Sequence, residues 1–387
     1  MRLLTVIGNR PQFIKAAAVS PHLRRAHEEV LVHSGQHFDD RLSAVFFSEL
    51  GLPAPDRQLG VALGSASSQT SRMLAALEPV LAEVAPDAVL VYGDTNSTLA
   101  GALVAAQAGV PLVHVEAGMR AFDRSMPEEL NRVLTDHAGS LLLCSTDTAV
   151  ANLRREGVSG RVELVGDVMV DVALAAQPRA RERVDLVTAR GLEPGAYALA
   201  TAHRAGNVDE PARLAALVEL LRGVAASGLP VLIALHPRTE RRLRDAELLE
   251  GLRTAPGVTV TEPLGYFELA ALICHARVVL TDSGGLQKEA YLAGVPCVTL
   301  RDSTEWTETL TLGWNVLVDL DLHAALAALT RTAPDRQPPR LAFGDGHAGE
   351  RVAAALGAWT SCEPARPAFS GARQPAARAS RTRSRPR

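Results

Sequence analysis

At 387 residues, with 47% hydrophobic and 21% charged residues and a formal net charge of −3, the chain reads as a globular protein with no charge footing for nucleic acid or an anionic membrane. Its length exceeds the roughly 250–300 residues at which a single core stops growing, so two domains are expected. No apolar run nears the ~20 residues that span a bilayer, no leader precedes the first strand-like run, and Cys144, Cys274, Cys297 and Cys362 stand apart with no metal spacing, which together predict a reduced, cytoplasmic protein without a metal site.

Leu3–Ile7 predicts the first strand, and GNRPQFIK after it predicts a turn and an amphipathic helix begun by Pro11. Arg10 and Lys15 fall at or near that helix N-terminus, where open N–H groups and the helix dipole favour a phosphate. The segment lacks the GxGxxG fingerprint, so no dinucleotide cofactor is expected. Glu29–His33 predicts the second strand. The SGQHFDD loop at its carboxyl end offers Gln36, His37 and Asp39 to a sugar, although a polar loop is more often only solvated.

Gln69–Val84 has apolar residues at helical spacing, and Ala88–Tyr92 and Pro111–Val115 predict buried strands. Asp94 follows the first of these strands and Glu116 the second. MPEELNR then opens a helix with Glu128, followed a turn later by Asn131 and Arg132. Singly, each carboxylate reads as a cap or a surface ion pair. Three on one edge of one sheet point to general acid/base chemistry in the crevice beyond the strand ends. Leu141–Cys144 and Val162–Val165 complete a first group of strands.

After a connecting stretch near Val168–Arg190, a second group is predicted at Tyr197–Ala200, Pro230–Ala234, Val258–Thr261, Val278–Thr281, Cys297–Thr299 and Asn315–Val318, with Pro211–Ala226 as a helix. Strand–helix alternation of this kind predicts an α/β fold of two Rossmann-like, doubly wound domains. His203 with Arg204, and His236 with Arg238, end successive strands, a repeated pairing suited to an anionic ligand. TDSGGLQKEA ends another strand: Ser283, Gly284 and Gly285 place open backbone at a helix start, and Glu289 lies further along that helix. Arg301, Thr304 and Glu305 leave the next strand towards the same ligand.

Lys15 and Lys288 are the only lysines in an arginine-based chain. A retained lysine hints at a role that needs an ammonium, and Lys288 reads equally as a solvated helix residue. From Glu363 onward the chain is rich in Pro, Ala, Ser and Gly with seven arginines against one acid, and is expected to be disordered.

GNRPQFIK, GQHFD, YGDTNST, HVEAGMR, MPEELNR, AHRAGN, HPR, DSGGLQKEA and LRDSTEW occur in an order that resembles the non-hydrolysing UDP-N-acetylglucosamine 2-epimerase family over residues 1–360. The resemblance implies a two-domain fold shared with one large class of glycosyltransferases (GT-B-like), with a deep cleft between the domains. It implies an N-terminal domain over residues 1–168, a UDP-binding domain over 169–349, a last helix near 350–362 returning to the first domain, and a free tail at 363–387. It also implies a homodimer, UDP-sugar as substrate, and no cofactor.

The implied chemistry is anti-elimination of UDP with loss of the C2 proton, then re-addition with a proton delivered to the opposite face, converting UDP-N-acetylglucosamine to UDP-N-acetylmannosamine. On that resemblance Asp94, Glu116 and Glu128 serve the proton steps without individual assignment. Arg10, His203, Ser283, Gly284 and Gly285 match diphosphate positions, Glu289 the ribose position, and Lys15 lies near the active centre; His203 also stands as an acid. PQFIK, GQHFD and Trp306 resemble the branch acting on UDP-2,3-diacetamido-2,3-dideoxy-glucuronate. Ala205 and Gly206 depart from the pattern of members with a second, regulatory UDP-sugar site. A glycosyltransferase using the same cleft is the alternative from another class.

Overall fold

The computed structural model describes residues 1–35, 49–62, 64–124, 126–331, 334 and 342–360. The expected sugar-contacting residues Gln36, His37 and Asp39, and the tail at 363–387, lie outside the described residues. Seven strands make the first sheet: β1 (Arg2–Ile7), β2 (Glu28–His33), β3 (Arg57–Gln58), β4 (Ala88–Tyr92), β5 (Leu112–Ala117), β6 (Leu141–Cys144) and β7 (Arg161–Leu164). Their spatial order is β3-β2-β1-β4-β5-β6-β7, and every pairing is parallel.

The second sheet contains β8 (Ala198–Thr201), β9 (Val231–Ala234), β10 (Val258–Thr261), β11 (Val278–Thr281), β12 (Cys297–Thr299) and β13 (Asn315–Leu317), in the order β10-β9-β8-β11-β12-β13, again all parallel. Both are doubly wound sheets, as the strand–helix alternation predicts. Central strands such as AVLVY and LVHVEA are buried at every position, because helices cover both faces of a parallel sheet. The two-residue edge strand β3 escaped the sequence reading, since Arg57–Gln58 carries neither alternation nor an apolar run.

The strand order of each sheet reverses at one point, between β1 and β4 and between β8 and β11, and this switch opens a crevice at the strand carboxyl ends. Helices start there with explicit caps. Asn9 accepts from the Gln12 N–H at the head of the Arg10–Leu23 helix, and Thr95 forms a capping box with Thr98 at the head of the Asn96–Gln107 helix. The stretch expected to connect the halves is the helix Val168–Glu182, capped by Asp167. The last helix, Ala348–Thr360, lays Val352, Leu356 and Trp359 into the same apolar cluster as Leu3, Phe13 and Val19 from the first half.

Cys144 and Cys297 are buried, and burial pushes both thiols up to about 12, so they behave as small apolar residues. Among the described residues no helix is long and apolar enough to cross a membrane.

Candidate active site

The two halves meet where their crevices face each other. Arg132 from the first half lies 3.6 Å from Glu305 of the second, Arg10 donates to the Leu264 carbonyl at 3.4 Å, and Glu49 accepts from the Tyr266 N–H at 3.0 Å.

Glu116 is the centre of the first-half site. It sits at φ +73° where the β5–β6 register shifts between Val115 and Ala117, a bulge that turns the side chain out of the sheet. A non-glycine residue at positive φ costs conformational energy, and such strain gathers where a side chain must be aimed. The aim is toward two ammonium groups. Lys15 pairs with one carboxylate oxygen, and Lys288 lies 3.6 Å from the other. Burial disfavours the Lys15 cation, but Glu116, with Asp94 and Asp167 behind it, outweighs that and holds it above its ordinary value. Gly93 makes the pairing feasible: at φ +64° a Cβ there would come within 2.9 Å of Lys15 Nζ and 3.2 Å of Glu116 Oε2. Behind the strand, the His114 ring bridges Asp136 at 2.7 Å and the Gly93 carbonyl at 2.8 Å, tying the β4 and β5 ends together.

Asp94 is gripped by Arg132, which reaches it through Nε at 3.0 Å and Nη2 at 2.6 Å and also binds Glu129 at 3.0 Å. The helix Pro127–Ala138 is inverted in character. It buries Glu129, Asn131, Arg132, Thr135 and Asp136, and exposes Leu130 and Leu134. Glu128, expected beside Asp94 and Glu116, is exposed on the first turn. The buried acid of that pair is Glu129, which accepts the Ala121 and Phe122 N–H groups at 2.9 Å each and so fixes the loop after β5.

Across the cleft, Asp282 at the end of β11 accepts the backbone N–H groups of His203 and Arg204 at about 3 Å (3.0 and 2.9 Å), pinning the β8 end. The His203 ring stacks on His236 with centroids 5.4 Å apart. The His203 side chain is 41% exposed, and its partial withdrawal from water, opposed by Asp282 and reinforced by Arg204, Arg10 and Arg238, holds it below its ordinary value, so an arriving anion would pull it back toward the charged form. His236 has a local duty as well, since its Nδ1 accepts from the Arg238 N–H and caps the helix beginning at Pro237.

Ser283 leads the helix Gly284–Ala293 without a side-chain cap. Its first turn presents backbone N–H groups, the sequence-predicted anion position. A Cβ on Gly284 would sit 2.9 Å from Trp306 Nε1, which explains glycine there; Gly285 has no such crowding. Further along, burial raises Glu289 to about 7 against the pull of Arg10 and Lys288, so the predicted ribose acid and the predicted phosphate cation share one environment.

Arg204 and Arg301, expected to meet the ligand, both bind Glu305, at 3.3 and 2.9 Å. Despite its burial, Glu305 is held down to about 2 by Arg204, Arg301 and Arg132. Sequence reasoning left this acid at the margin. It is the hub that links Arg132, and through it Asp94, to the second half. Lys288 is 2% exposed at its side chain, which corrects the solvated reading, and its rarity in the chain was the signal available.

Two doubly wound units with carboxylates on one side of the cleft, and cations and a helix N-terminus on the other, define an enzyme of GT-B-like architecture. A calicheamicin glycosyltransferase structure, 18% identical with a TM-score of 0.51 over 92% of this chain and 98% of that one, shares the fold alone. The sequence profile of the UDP-N-acetylglucosamine 2-epimerase family matches residues 22–357, and the chain belongs to that family. A UDP-2,3-diacetamido-2,3-dideoxy-D-glucuronate 2-epimerase of Pseudomonas aeruginosa is 44% identical over 362 residues, covering 91% of this chain and 98% of that protein. The Methanocaldococcus jannaschii UDP-GlcNAc 2-epimerase, solved with UDP-GlcNAc and UDP, is 38% identical with a TM-score of 0.86, covering 92% of this chain and 100% of that one.

Proposed function

We propose that the protein inverts C2 of a UDP-linked 2-acetamido sugar by eliminating and re-adding UDP. The observation that carries this reading is Glu116, an acid held at positive φ between two buried ammonium groups at the mouth of a nucleotide-type crevice. In the forward half-reaction a carboxylate accepts the C2 proton. The C2–H electron pair becomes the C1–C2 double bond, and the C1–O bond breaks to release UDP as an anion. In the return half, UDP oxygen re-forms the bond to C1 while an acid on the other face protonates C2. Asp94, Glu116 and Glu128 serve these steps, with Lys15 beside Glu116.

The leaving diphosphate gathers negative charge, and fixed donors stabilise it best where they need not reorganise. Arg10, His203, Ser283 through its hydroxyl, and the N–H groups of Gly284 and Gly285 supply that set, with Glu289 on the ribose. Arg132, Arg204 and Arg301 act through Glu305 and Asp94, and His236 through stacking on His203. No step calls for a redox cofactor.

The proposed substrate is UDP-N-acetylglucosamine, giving UDP-N-acetylmannosamine. A second reading, UDP-2,3-diacetamido-2,3-dideoxy-glucuronate, is favoured by the P. aeruginosa relative and by the PQFIK segment and Trp306. Turnover measured side by side on the two UDP-sugars, with no acceptor added, is expected to invert C2 of at least one. Turnover that appears only with an added acceptor would make the protein a glycosyltransferase, and accumulation of free sugar would make it a hydrolysing epimerase.

A homodimer is part of this proposal. Leu130 and Leu134, 57% and 42% exposed one turn apart, give the Pro127–Ala138 helix an apolar outer face suited to a second copy. Light scattering is expected to give twice the monomer mass for the native chain and the monomer mass for Leu130→Glu combined with Leu134→Glu. A native monomer at micromolar concentration would sink this part.

A further inference from the structure

We propose that Lys288 is a positioning residue for Glu116, delivered from the second half of the molecule, an assignment that rests on the epimerase reading above. Lys288 lies on the helix Gly284–Ala293, whose first turn carries the proposed diphosphate site. Its ammonium has three neighbours: Asp167, with which it pairs; Glu116 Oε1 at 3.6 Å; and the Trp306 ring, whose centroid is 3.7 Å away. Glu116 Oε2 is already taken by Lys15. Each oxygen of the carboxylate therefore faces its own cation, one from each half, and the two cations are the only lysines in the chain.

A purely structural lysine would be complete with Asp167. Burying an ammonium is costly unless it is paired, and Asp167, itself buried, satisfies that need. The approach to Glu116 and the seat on Trp306 go beyond it. Trp306 offers its π face to a desolvated cation and fixes where the charge sits. Asp167 also accepts the Met169 N–H at 2.9 Å, so Lys288 is moored to the head of the helix that joins the halves. Glu116 falls at the register shift without a paired residue on β6, so its carboxylate must be oriented by side-chain contacts. The two ammonium groups do this, and the Lys288 contact exists only while the two halves are together. The helix that would receive the diphosphate is thus the one that sets Glu116.

The charged groups bearing on Glu116 are Lys15 from the Arg10–Leu23 helix and Lys288, with Asp94 beyond β4 and Asp167 acting through those lysines. Their arrangement gives opposite signs for two substitutions. Lys288→Met removes a cation, which disfavours the carboxylate form of Glu116. Asp167→Asn removes a competing anion and frees Lys288 for Glu116, while asparagine keeps the helix cap.

The test is the pH–rate profile of epimerisation for both variants, with UDP affinity measured by calorimetry. Lys288→Met is expected to lower kcat by about tenfold to a hundredfold with UDP affinity near the native value. The limb of the profile that Glu116→Gln abolishes should move up in Lys288→Met and down in Asp167→Asn. A limb that stays put in both variants, or UDP affinity falling in step with kcat, would overturn the assignment. Should Lys288→Met not fold, the direction of the Asp167→Asn shift decides alone. A native enzyme with no C2 turnover would instead defeat the epimerase reading before any variant is made.

Discussion

Glu116→Gln is expected to lower turnover by on the order of a hundredfold or more, the scale of a positioned acid or base, while UDP still binds. Glutamine is nearly isosteric but can neither accept the C2 proton nor balance two ammonium groups. Lys15 and Lys288 would then face a neutral amide in a site where both are buried. Retained UDP binding follows from distance in role, since the proposed diphosphate donors belong to Arg10, His203 and the Ser283–Gly285 turn. Asp94→Asn is expected to fall by a similar factor. Rates near native in both variants would remove these acids from the chemistry.

Arg132→Met is expected to cost about 3–5 kcal/mol, because removing one member of a buried ionic group leaves the others uncompensated. Arg132 holds Asp94, Glu129 and Glu305 together, and its side chain is only 7% exposed. The loss has a pH signature. Glu305 is depressed to about 2 from an ordinary 4.5. A depressed carboxylate contributes stability that is present above the unfolded value and disappears as pH falls through the folded one. Native protein should therefore lose this contribution on acidification from about pH 4.5 toward 2, and the variant should show a smaller change over that window. Chemical denaturation across that window measures both. Arg132→Lys should fall between native and Arg132→Met, since an ammonium keeps the charge but not the two-pronged grip on Asp94. Equal stability of Arg132→Met and native protein would contradict the network's role.

Why the sheets were legible and parts of the site were not comes down to what a linear pattern records. Buried parallel strands leave unbroken apolar runs, and AVLVY and LVHVEA announce both strand and crevice edge. The two-residue β3 leaves no such trace. The helix Pro127–Ala138 misleads for a physical reason: its inward face is polar because it serves the cleft, and its leucines face out. Leucine spacing therefore marks the outer face of this helix, and nothing in the linear pattern separates the buried Glu129 from the exposed Glu128. Glu305 looked like one more polar residue after a strand, because two of its three arginine partners, Arg132 and Arg204, come from segments far from it in sequence. Lys288 carried a compositional hint, but only the fold brings it to Glu116.

In the proposed mechanism a carboxylate removes the proton at C2. Incubating the native enzyme with the UDP-sugar it turns over, in deuterated water, and following C2 by proton NMR tests this most directly. The C2 proton signal is expected to disappear from both epimers, with one deuterium incorporated at that carbon and nowhere else on the ring. Epimerised product that keeps its C2 proton would contradict it.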